Sequence, residues 1–276
     1  MSKLIYNYIN KCHEHMLILL KYIHKICVEN NIKYTLEAGT LLGAIRDKGF
    51  IPWDDDCDIS LIREEYEKLK KILLNSELPD YIGIYNPEDE QYFYDFNIRL
   101  YYKKERIRFD DDLIEKYSGV YSYATLDIFV MDHVPKNPIR RRFFVFKQQF
   151  IYGLAMSNRI SIKYDKYKFI EKIFIFILSH IGKMFSTKTL CIVHENFSKT
   201  YLHNVKINKE CLYCTGWIPE FPGWVFDQKS YDKVHLTDFE DTKLYVIDDY
   251  EKILDGYGDW KKPIKTHDHT NQFENV

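Results

Sequence analysis

Four carboxylates fall within five residues of this chain, in the segment 53–58, which reads WDDDCD. Such a density of negative charge is unfavourable unless the segment is fully solvated or a cation lies nearby. Ile59 and Leu61 follow, and their spacing predicts that the chain continues as a β-strand over residues 56–61. Because side chains alternate along a strand, Asp56 and Asp58 would share one face, and Cys57 and Ile59 would face the core.

Two carboxylates on one strand face predict a divalent metal site. Alternate residues of a strand lie about 7 Å apart, so Asp56 and Asp58 can converge on one hard cation. Oxygen ligands beside phosphate favour Mg²⁺, with Mn²⁺ as the second choice. A solvated acidic turn is the alternative, but such a turn does not need the apolar continuation into a strand.

A glycine and a hydroxyl residue, Gly39 and Thr40, lie upstream between a strand-like segment (33–38) and a helical segment (41–47). Glycine lets the backbone approach a phosphate, and the N-terminus of the following helix favours negative charge. The order of strand, Gly-Thr turn, helix and acidic strand resembles the nucleotidyltransferase superfamily. Gly39 and Thr40 are therefore candidates to contact donor phosphates.

Residues 39–61, GTLLGAIRDKGFIPWDDDCDISL, resemble the signature of the LicD-like phosphotransferase family, which includes the fukutin-related proteins. The resemblance extends to residues 126–132 (LDIFVMD) and to residues 248–263 (DDYEKILDGYGDWKKP), which look like the family's C-terminal Tyr-Gly-Asp block. It implies an α/β (α+β) fold with a nucleotidyltransferase-like mixed β-sheet core, flanking helices and a helical insertion.

The family pattern implies three carboxylates that bind the metal and act in catalysis: Asp56, Asp58 and Asp127. Asp127 would be presented from a neighbouring strand. Asp55 is a further catalytic candidate, and either Asp127 or Asp55 could act as the general base. Three basic residues could bind the donor phosphates, namely Arg46, Lys48 and Arg99, although each could also be an ordinary surface charge.

The resemblance also implies a reaction. Donors in this family are cytidine diphosphate compounds, such as CDP-choline in bacterial members and CDP-ribitol in fukutin-related ones. The implied reaction transfers a phospho-alcohol group, first of all phosphocholine, to a hydroxyl of a cell-surface glycan and releases CMP. Transfer of ribitol- or glycerol-phosphate from a CDP-alditol, and a nucleotidyltransferase that uses a nucleoside triphosphate, stay open as alternatives. Aromatic residues are available to surround a choline group: Trp53, Tyr92, Tyr94, Trp217 and Trp224.

Apolar periodicity predicts the elements that position these residues. Residues 5–27 repeat apolar side chains at three and four positions, which indicates a long amphipathic helix ending near Asn30. A helix over 63–74 follows the acidic strand, so the first 75 residues are predicted to run α-β-α-β-α. Further elements are predicted in this order: strands over 92–102 and 123–131, helices over 138–205, strands over 211–262 and a short helix over 250–257.

We expect a catalytic core over residues 1–135, a helical region over 136–210, and a C-terminal strand and turn segment over 211–276. The last segment would complete the acceptor side, and the three would form one compact unit. The net charge of −2 gives no general basis for nucleic-acid binding. The N-terminus lacks the pattern of a signal peptide, and the longest apolar stretch (173–181) is about half the length of a membrane span. These features predict a cytoplasmic protein.

Two segments could form a peripheral surface against anionic lipid at the inner face of the membrane: 140–146 (RRRFFVF) and 173–181 (IFIFILSHI). This would suit a lipid-linked glycan acceptor. The spacing of Cys191, His194, Cys211 and Cys214 is typical of zinc sites but also of buried cysteines beside a satisfied histidine, so both readings stay open. His267 and His269 lie in the basic tail, where they could contact the active site or be frayed.

Overall fold

The computed structural model describes residues 3–89, 95–107, 122–158, 164–202, 211–214 and 225–263, together with residues 119 and 162. Helix α1 (Lys3–Glu29) confirms the predicted N-terminal helix. Its apolar face enters the main core through side chains spaced at three and four positions: Ile9, Cys12, Met16, Leu19, Ile23 and Cys27. The helix ends before Asn31, whose φ of 52° reverses the chain.

A mixed β-sheet forms the centre of the molecule, as predicted. Strands follow the spatial order β1-β2-β5-β4-β3, and β6 joins the far end of β5 to β7. β2 and β5 are parallel, and the other pairs of the sheet are antiparallel. The bounds are β1 (Thr35–Leu36), β2 (Cys57–Ile62), β3 (Ile82–Tyr85), β4 (Ile98–Tyr102), β5 (Thr125–His133), β6 (Cys211–Cys214) and β7 (Val225–Asp227).

Side-chain alternation gives the two faces of the central strands different chemistry. One face is apolar and joins α1 in the main core, with Cys57 and Ile59 from β2 and Leu126 and Ile128 from β5. The opposite face carries polar side chains at the paired positions 58, 127 and 99. A register shift of one residue would bury the carboxylates in the core, so the apolar pattern fixes the register.

Helices cover the sheet and build the middle of the chain. The predicted helical stretch over 138–205 is confirmed by α4, α5 and α6. The bounds are α2 (Ala38–Arg46), α3 (Arg63–Asn75), α4 (Pro138–Ala155), α5 (Phe169–Gly182), α6 (Thr187–Ser198), α7 (Gln228–Tyr231) and α8 (Tyr250–Leu254). In the C-terminal part, β8 (Val234–Phe239) and β9 (Thr242–Ile247) pair as an antiparallel hairpin. In the described ranges, no helix has both the length and the apolar character to cross a membrane.

The first strand and helix differ from the prediction. β1 is two residues long, and α2 begins at Ala38, so Gly39 and Thr40 lie in the first turn of a helix rather than in a turn between elements. The chain changes direction earlier because Ala38 adopts a φ of 49° directly after the extended Glu37. β2 begins at Cys57, which leaves Asp56 immediately before the strand.

Three further strands differ from the prediction. β3 was not predicted, because its sequence IGIY is short and lies between turn residues. β5 continues to His133, two residues beyond the predicted end, because β6 pairs with this extension. The part of the predicted strand over 92–102 that precedes residue 95 lies outside the described residues, and β4 begins at Ile98.

Candidate active site

Three strands bring an aspartate pair and an arginine together on the polar face of the sheet. The parallel register of β2 and β5 pairs Asp58 with Asp127. On the other side of β5, the antiparallel register pairs Asp127 with Arg99 of β4. Because paired residues of neighbouring strands project to the same face, the sequence-predicted Asp58, Asp127 and Arg99 are neighbours.

Arg99 binds the carboxylate of Asp127 through two nitrogens of its guanidinium. Its Nη2 donates to Asp127 Oδ2 at 2.8 Å and to Asp95 Oδ2 at 2.7 Å, while Nε donates to Asp127 Oδ1. Burial raises the pKa of Asp127, and the charge and hydrogen bonds of Arg99 oppose this effect, so that its pKa is about 6. The bidentate contact fixes the orientation of this carboxylate within the site.

Five carboxylates form a group in which the charges of four act on Asp58: Glu37, Asp54, Asp56 and Asp127. We call this group the acidic cluster. Burial, followed by the charges of the other four members, raises the pKa of Asp58 well above its usual range. Burial and then the neighbouring Asp56 raise the pKa of Asp54 to about 8. The structure therefore concentrates carboxyl groups where the sequence predicted a cation.

The start of α2 is attached to β2 through Asp58 and Ser60. The backbone N–H of Asp58 donates to Thr40 Oγ1 at 2.9 Å, and the N–H of Glu37 donates to the carbonyl oxygen of Asp58 at 3.0 Å. Ser60 Oγ donates to Glu37 Oε2 at 2.6 Å. The hydroxyl oxygen of Thr40 therefore links the first turn of α2 to the start of β2, and its own O–H is still able to act as a donor.

Gly39 leaves room for a carboxylate of the cluster. A β-carbon at position 39 would lie 2.6 Å from Asp54 Oδ2, which is closer than real β-carbon contacts allow. His13 holds the same loop, since its Nε2 lies 2.8 Å from the carbonyl oxygen of Asp54. The glycine at this position therefore lets Asp54 approach the first turn of α2, which explains the residue type locally.

The other predicted site residues lie at the edge of the cluster or away from it. Asp55 accepts a hydrogen bond of 2.9 Å from the hydroxyl of Tyr8. Arg46 pairs with Asp47 at 2.7 Å, and its Nη1 donates to the carbonyl oxygen of Trp260 at 3.4 Å. Lys48 is exposed in the turn that follows α2, with a φ of 61°. Of the three predicted phosphate-binding cations, Arg99 is the one that contacts a carboxylate of the cluster.

Two residues of the site were not assigned a role from the sequence. Glu37 immediately precedes the Ala-Gly-Thr segment, and only its burial beside Ser60 shows that it belongs to the cluster. Tyr257 ends the short 3₁₀ helix Asp255–Tyr257 in the Tyr-Gly-Asp block. Although 40% of this residue is exposed, burial around its hydroxyl, followed by the charges of Glu37 and Asp58, raises its pKa. The resemblance of the block to the family signature was the signal for Tyr257.

The acidic cluster fits a divalent cation whose coordination is completed by phosphate. Carboxylates this crowded repel one another, and a cation offsets that repulsion. Mg²⁺ usually takes one or two carboxylates together with substrate phosphates. Within the described ranges, no group of three or more His, Cys, Asp or Glu side chains is arranged so that it could hold a metal ion. The assignment of Asp56, Asp58 and Asp127 as metal ligands stays a prediction.

The possible zinc site stays open. Cys191 and His194 are buried on α6, where the ring of His194 stacks on Phe96 at 3.8 Å. Cys211 and Cys214 form the ends of β6, but their side chains are not among those described. Other predicted residues also lie outside the described ranges, so the structure neither supports nor opposes their roles: Tyr92, Tyr94, Trp217, Trp224, His267 and His269.

Comparison with known proteins gives matches along most of the chain. The family model described as "LicD/FKTN/FKRP, nucleotidyltransferase domain" matches residues 31–181, just over half of the chain. The chain is 29% identical over 263 residues to the lipopolysaccharide cholinephosphotransferase LicD of Haemophilus influenzae, and the match covers 88% of each chain. It is 30% identical over 164 residues to the uncharacterized protein RP689 of Rickettsia prowazekii, covering 55% of this chain and 56% of that one.

The family match includes all five residues of the acidic cluster, whereas Tyr257 lies outside the match. It begins before Glu37 and contains β2, β4 and β5, so the residues that bring Asp58, Asp127 and Arg99 together lie inside it. The match to the Haemophilus influenzae protein covers 88% of the chain and therefore reaches beyond the family model. The chain thus belongs to the LicD/FKTN/FKRP family, and it carries that family's nucleotidyltransferase domain.

Proposed function

We propose that this protein is a metal-dependent transferase that moves phosphocholine from CDP-choline to a hydroxyl of a cell-surface glycan and releases CMP. The observation that carries the proposal is the acidic cluster on the polar face of the sheet, with Arg99 bound to Asp127 at its edge. Its relative in Haemophilus influenzae is a lipopolysaccharide cholinephosphotransferase, which supports choline as the alcohol and lipopolysaccharide as the class of acceptor. The acceptor glycan is proposed to be lipid-linked, and the expected cytoplasmic location stays a prediction.

The reaction would be a single in-line displacement at the outer phosphorus of the donor. The glycan oxygen forms the new P–O bond, the bond to the bridging oxygen breaks, and CMP leaves. When bound, Mg²⁺ (or Mn²⁺) would neutralise charge on the two donor phosphates, and Asp56, Asp58 and Asp127 would hold it. The proton of the attacking hydroxyl would pass to a carboxylate. Asp127 is favoured by its place on the sheet face, and Asp55, which Tyr8 holds, is the other candidate.

Protein groups around the cluster would bind and orient the donor. The backbone N–H groups of the first turn of α2, at Gly39 and Thr40, offer the positive end of a helix to a phosphate. The positive charge of Arg99 would attract the same phosphates, while its hydrogen bonds keep Asp127 oriented. Arg46 and Lys48 lie at the other end of α2, so they are proposed to act on a more distant part of the donor or acceptor.

Calorimetric titration of CDP-choline, with CDP-ribitol and CDP-glycerol beside it, tests both the donor and the metal. We expect binding of CDP-choline that requires Mg²⁺ and that Asp58→Asn weakens by at least about tenfold. Asn matches the shape of Asp and removes one charge from a crowded cluster, so the variant should be at least as stable as the wild type. Asp241→Asn, which changes an exposed aspartate paired with Lys21, is the matched control and should bind like the wild type.

The same titration separates the proposal from its alternatives. Preference for CDP-ribitol or CDP-glycerol would keep the reaction class but change the transferred alcohol. Tight binding of ATP or UTP in place of the CDP compounds would instead favour a nucleotidyltransferase that uses a nucleoside triphosphate. If no nucleotide binds in the presence of Mg²⁺, the proposed function is wrong.

A further inference from the structure

Helix α5 turns its small side chains inward and most of its large apolar side chains outward. Its fully buried residues are Ser179 and Gly182. A β-carbon at position 182 would lie 1.9 Å from the carbonyl oxygen of Leu154, so α5 approaches the end of α4 backbone to backbone. Gly153 of α4 also leaves room for α5, because a β-carbon there would lie 2.6 Å from Leu178 Cδ1. Packing of α5 against the protein therefore uses small residues of both helices together with Ile175 and Leu178.

The outward face of α5 is apolar, whereas an ordinary surface helix exposes its polar face. Phe169 is 77% exposed and Phe174 is 62% exposed. Five more large apolar residues on or just after the helix are exposed as well: Ile170, Ile173, Phe176, Ile177 and Ile181. Scattered exposed apolar side chains are normal, but a contiguous patch of this kind marks a surface that contacts something other than water.

Helix α4 presents a second exposed apolar row. Ile139, Phe143, Phe146 and Phe150 are spaced at four, three and four positions, so they follow one stripe of the helix. All four are exposed, and Ile139 is exposed at 79%. The opposite side of α4, with Phe144 and Val145 among its members, is buried in the protein. The two neighbouring helices thus carry apolar rows on their exposed sides; we call these rows the apolar surface.

The segment that carries the apolar surface is rich in basic residues. Residues 136–185 contain eleven Lys and Arg but two Asp and Glu, in a chain whose net charge is −2. At about 100° per residue, Arg142 and Lys147 lie on opposite sides of the α4 stripe. The acidic residue of α5, Glu171, accepts a hydrogen bond of 2.8 Å from the backbone N–H of Lys168 and so serves the start of the helix.

We propose that the apolar surface of α4 and α5 docks on an anionic membrane, with its aromatic and aliphatic side chains in the interface and its basic residues on the lipid headgroups. An apolar helix face edged by Lys and Arg is the arrangement that binds in the plane of an anionic interface. A second copy of the chain fits less well. In a two-fold contact the patch would meet itself, and the basic edges of the two copies would face each other.

Co-sedimentation with vesicles tests this docking. The full chain is mixed with vesicles of phosphatidylcholine alone and with vesicles that contain about one third phosphatidylglycerol. We expect binding to the anionic vesicles that weakens as salt increases. The double variant Phe146→Ser, Phe174→Ser should lower the bound fraction at least about tenfold. The double variant Arg140→Glu, Arg142→Glu should remove the preference for anionic lipid.

A matched control changes exposed apolar residues elsewhere. Val28→Ser, Leu236→Ser alters side chains of α1 and β8 that are about as exposed as Phe146, and it should bind vesicles like the wild type. Equal binding by the wild type and the Phe146, Phe174 variant would overturn the proposal. The proposal would also be overturned if the wild type did not bind vesicles but self-associated, and if the Phe146, Phe174 variant abolished that self-association. The readout is membrane binding without donor, so its failure is distinguishable from failure of the proposed transferase function.

Discussion

Arg99 neutralises carboxylates at the edge of a cluster that is otherwise crowded with negative charge. Its guanidinium reaches Asp127 through two nitrogens and Asp95 through one of them, and its side chain is 6% exposed. A buried, two-pronged contact of this kind orients a carboxylate as well as pairing its charge. Arg99 therefore restricts the Asp127 carboxylate to one orientation, whether that carboxylate binds a metal or takes a proton.

Arg99→Lys should therefore reduce turnover more than it reduces stability. Lysine keeps the charge but offers a point donor, so it cannot maintain both contacts with Asp127. We expect CMP release from the donor to fall by about 10–100-fold, with a stability loss of about 1–3 kcal/mol. Steady-state kinetics and urea unfolding provide the two measurements. Arg106→Lys, which changes an exposed arginine beside Tyr123, is the control, and wild-type turnover in Arg99→Lys would contradict the orienting role.

Helix α2 links the predicted phosphate-binding turn to the acidic strand, and two of its glycines have different neighbours. At position 39 a β-carbon would meet the carboxylate of Asp54 at 2.6 Å, whereas at position 43 it would meet the backbone oxygen of Gly49 at 2.4 Å. A side-chain carboxylate can move aside, but a backbone carbonyl in a packed turn cannot do so cheaply. The same substitution should thus affect the site at one position and the fold at the other.

Gly39→Ala and Gly43→Ala form a matched pair on this helix. We expect Gly39→Ala to change stability by about 1 kcal/mol or less, because the gain in helix propensity offsets part of the crowding, and to weaken donor binding about tenfold through Asp54. Gly43→Ala should cost about 1–3 kcal/mol by overpacking. Urea unfolding and calorimetry measure the two effects. Similar stability losses with wild-type donor binding in both variants would count against a site role for Gly39.

Secondary structure was predictable from the sequence where an apolar pattern continued over many residues or alternated strictly. The stripe of α1 and the alternation in β2 each have several positions that agree, so both elements were predicted correctly apart from their ends. The start of α2 was wrong because a positive φ at Ala38 has no sequence signal, unlike a glycine or asparagine at that position. Glu37 escaped notice for a related reason: its partner Ser60 lies 23 residues away and meets it only through the pairing of β1 with β2.

At the scale of the whole molecule, one buried arginine joins the helical middle to the sheet. Arg63, at the start of α3, is fully buried and donates to Asp132 of β5 at 2.6 Å and to Glu195 of α6 at 2.7 Å. Burial acts to raise the pKa of Glu195, but the charges of Arg63, Lys70 and Lys199 outweigh it and lower that pKa to about 2. Such a network connects three segments far apart in sequence, which pattern analysis of single segments cannot reveal.

His194, the residue before Glu195, makes this junction sensitive to acid. The ring of His194, which lies on α6, stacks on Phe96. Burial lowers the pKa of His194 to about 3 from the usual 6.5, while the charge of Glu195 acts to raise this pKa and that of Arg63 to lower it. Because its pKa in the folded state lies below that in the unfolded state, the unfolded chain binds the proton first. Stability is therefore expected to fall as the pH drops below about 6.5, by up to about 1.4 kcal/mol per pH unit.

His194→Gln isolates this contribution from those of the other histidines. Urea unfolding at about pH 7.5 and about pH 5 should show that the variant loses about 2 kcal/mol less stability between the two conditions than the wild type does. Any cost of losing the stacking on Phe96 is present at both pH values, so it cancels in this difference. Protonation of Glu195 cannot account for the result, because its pKa lies below the window in both the folded and the unfolded state. An equal pH dependence in wild type and variant would mean that His194 can be protonated without opening the junction between α6 and the sheet.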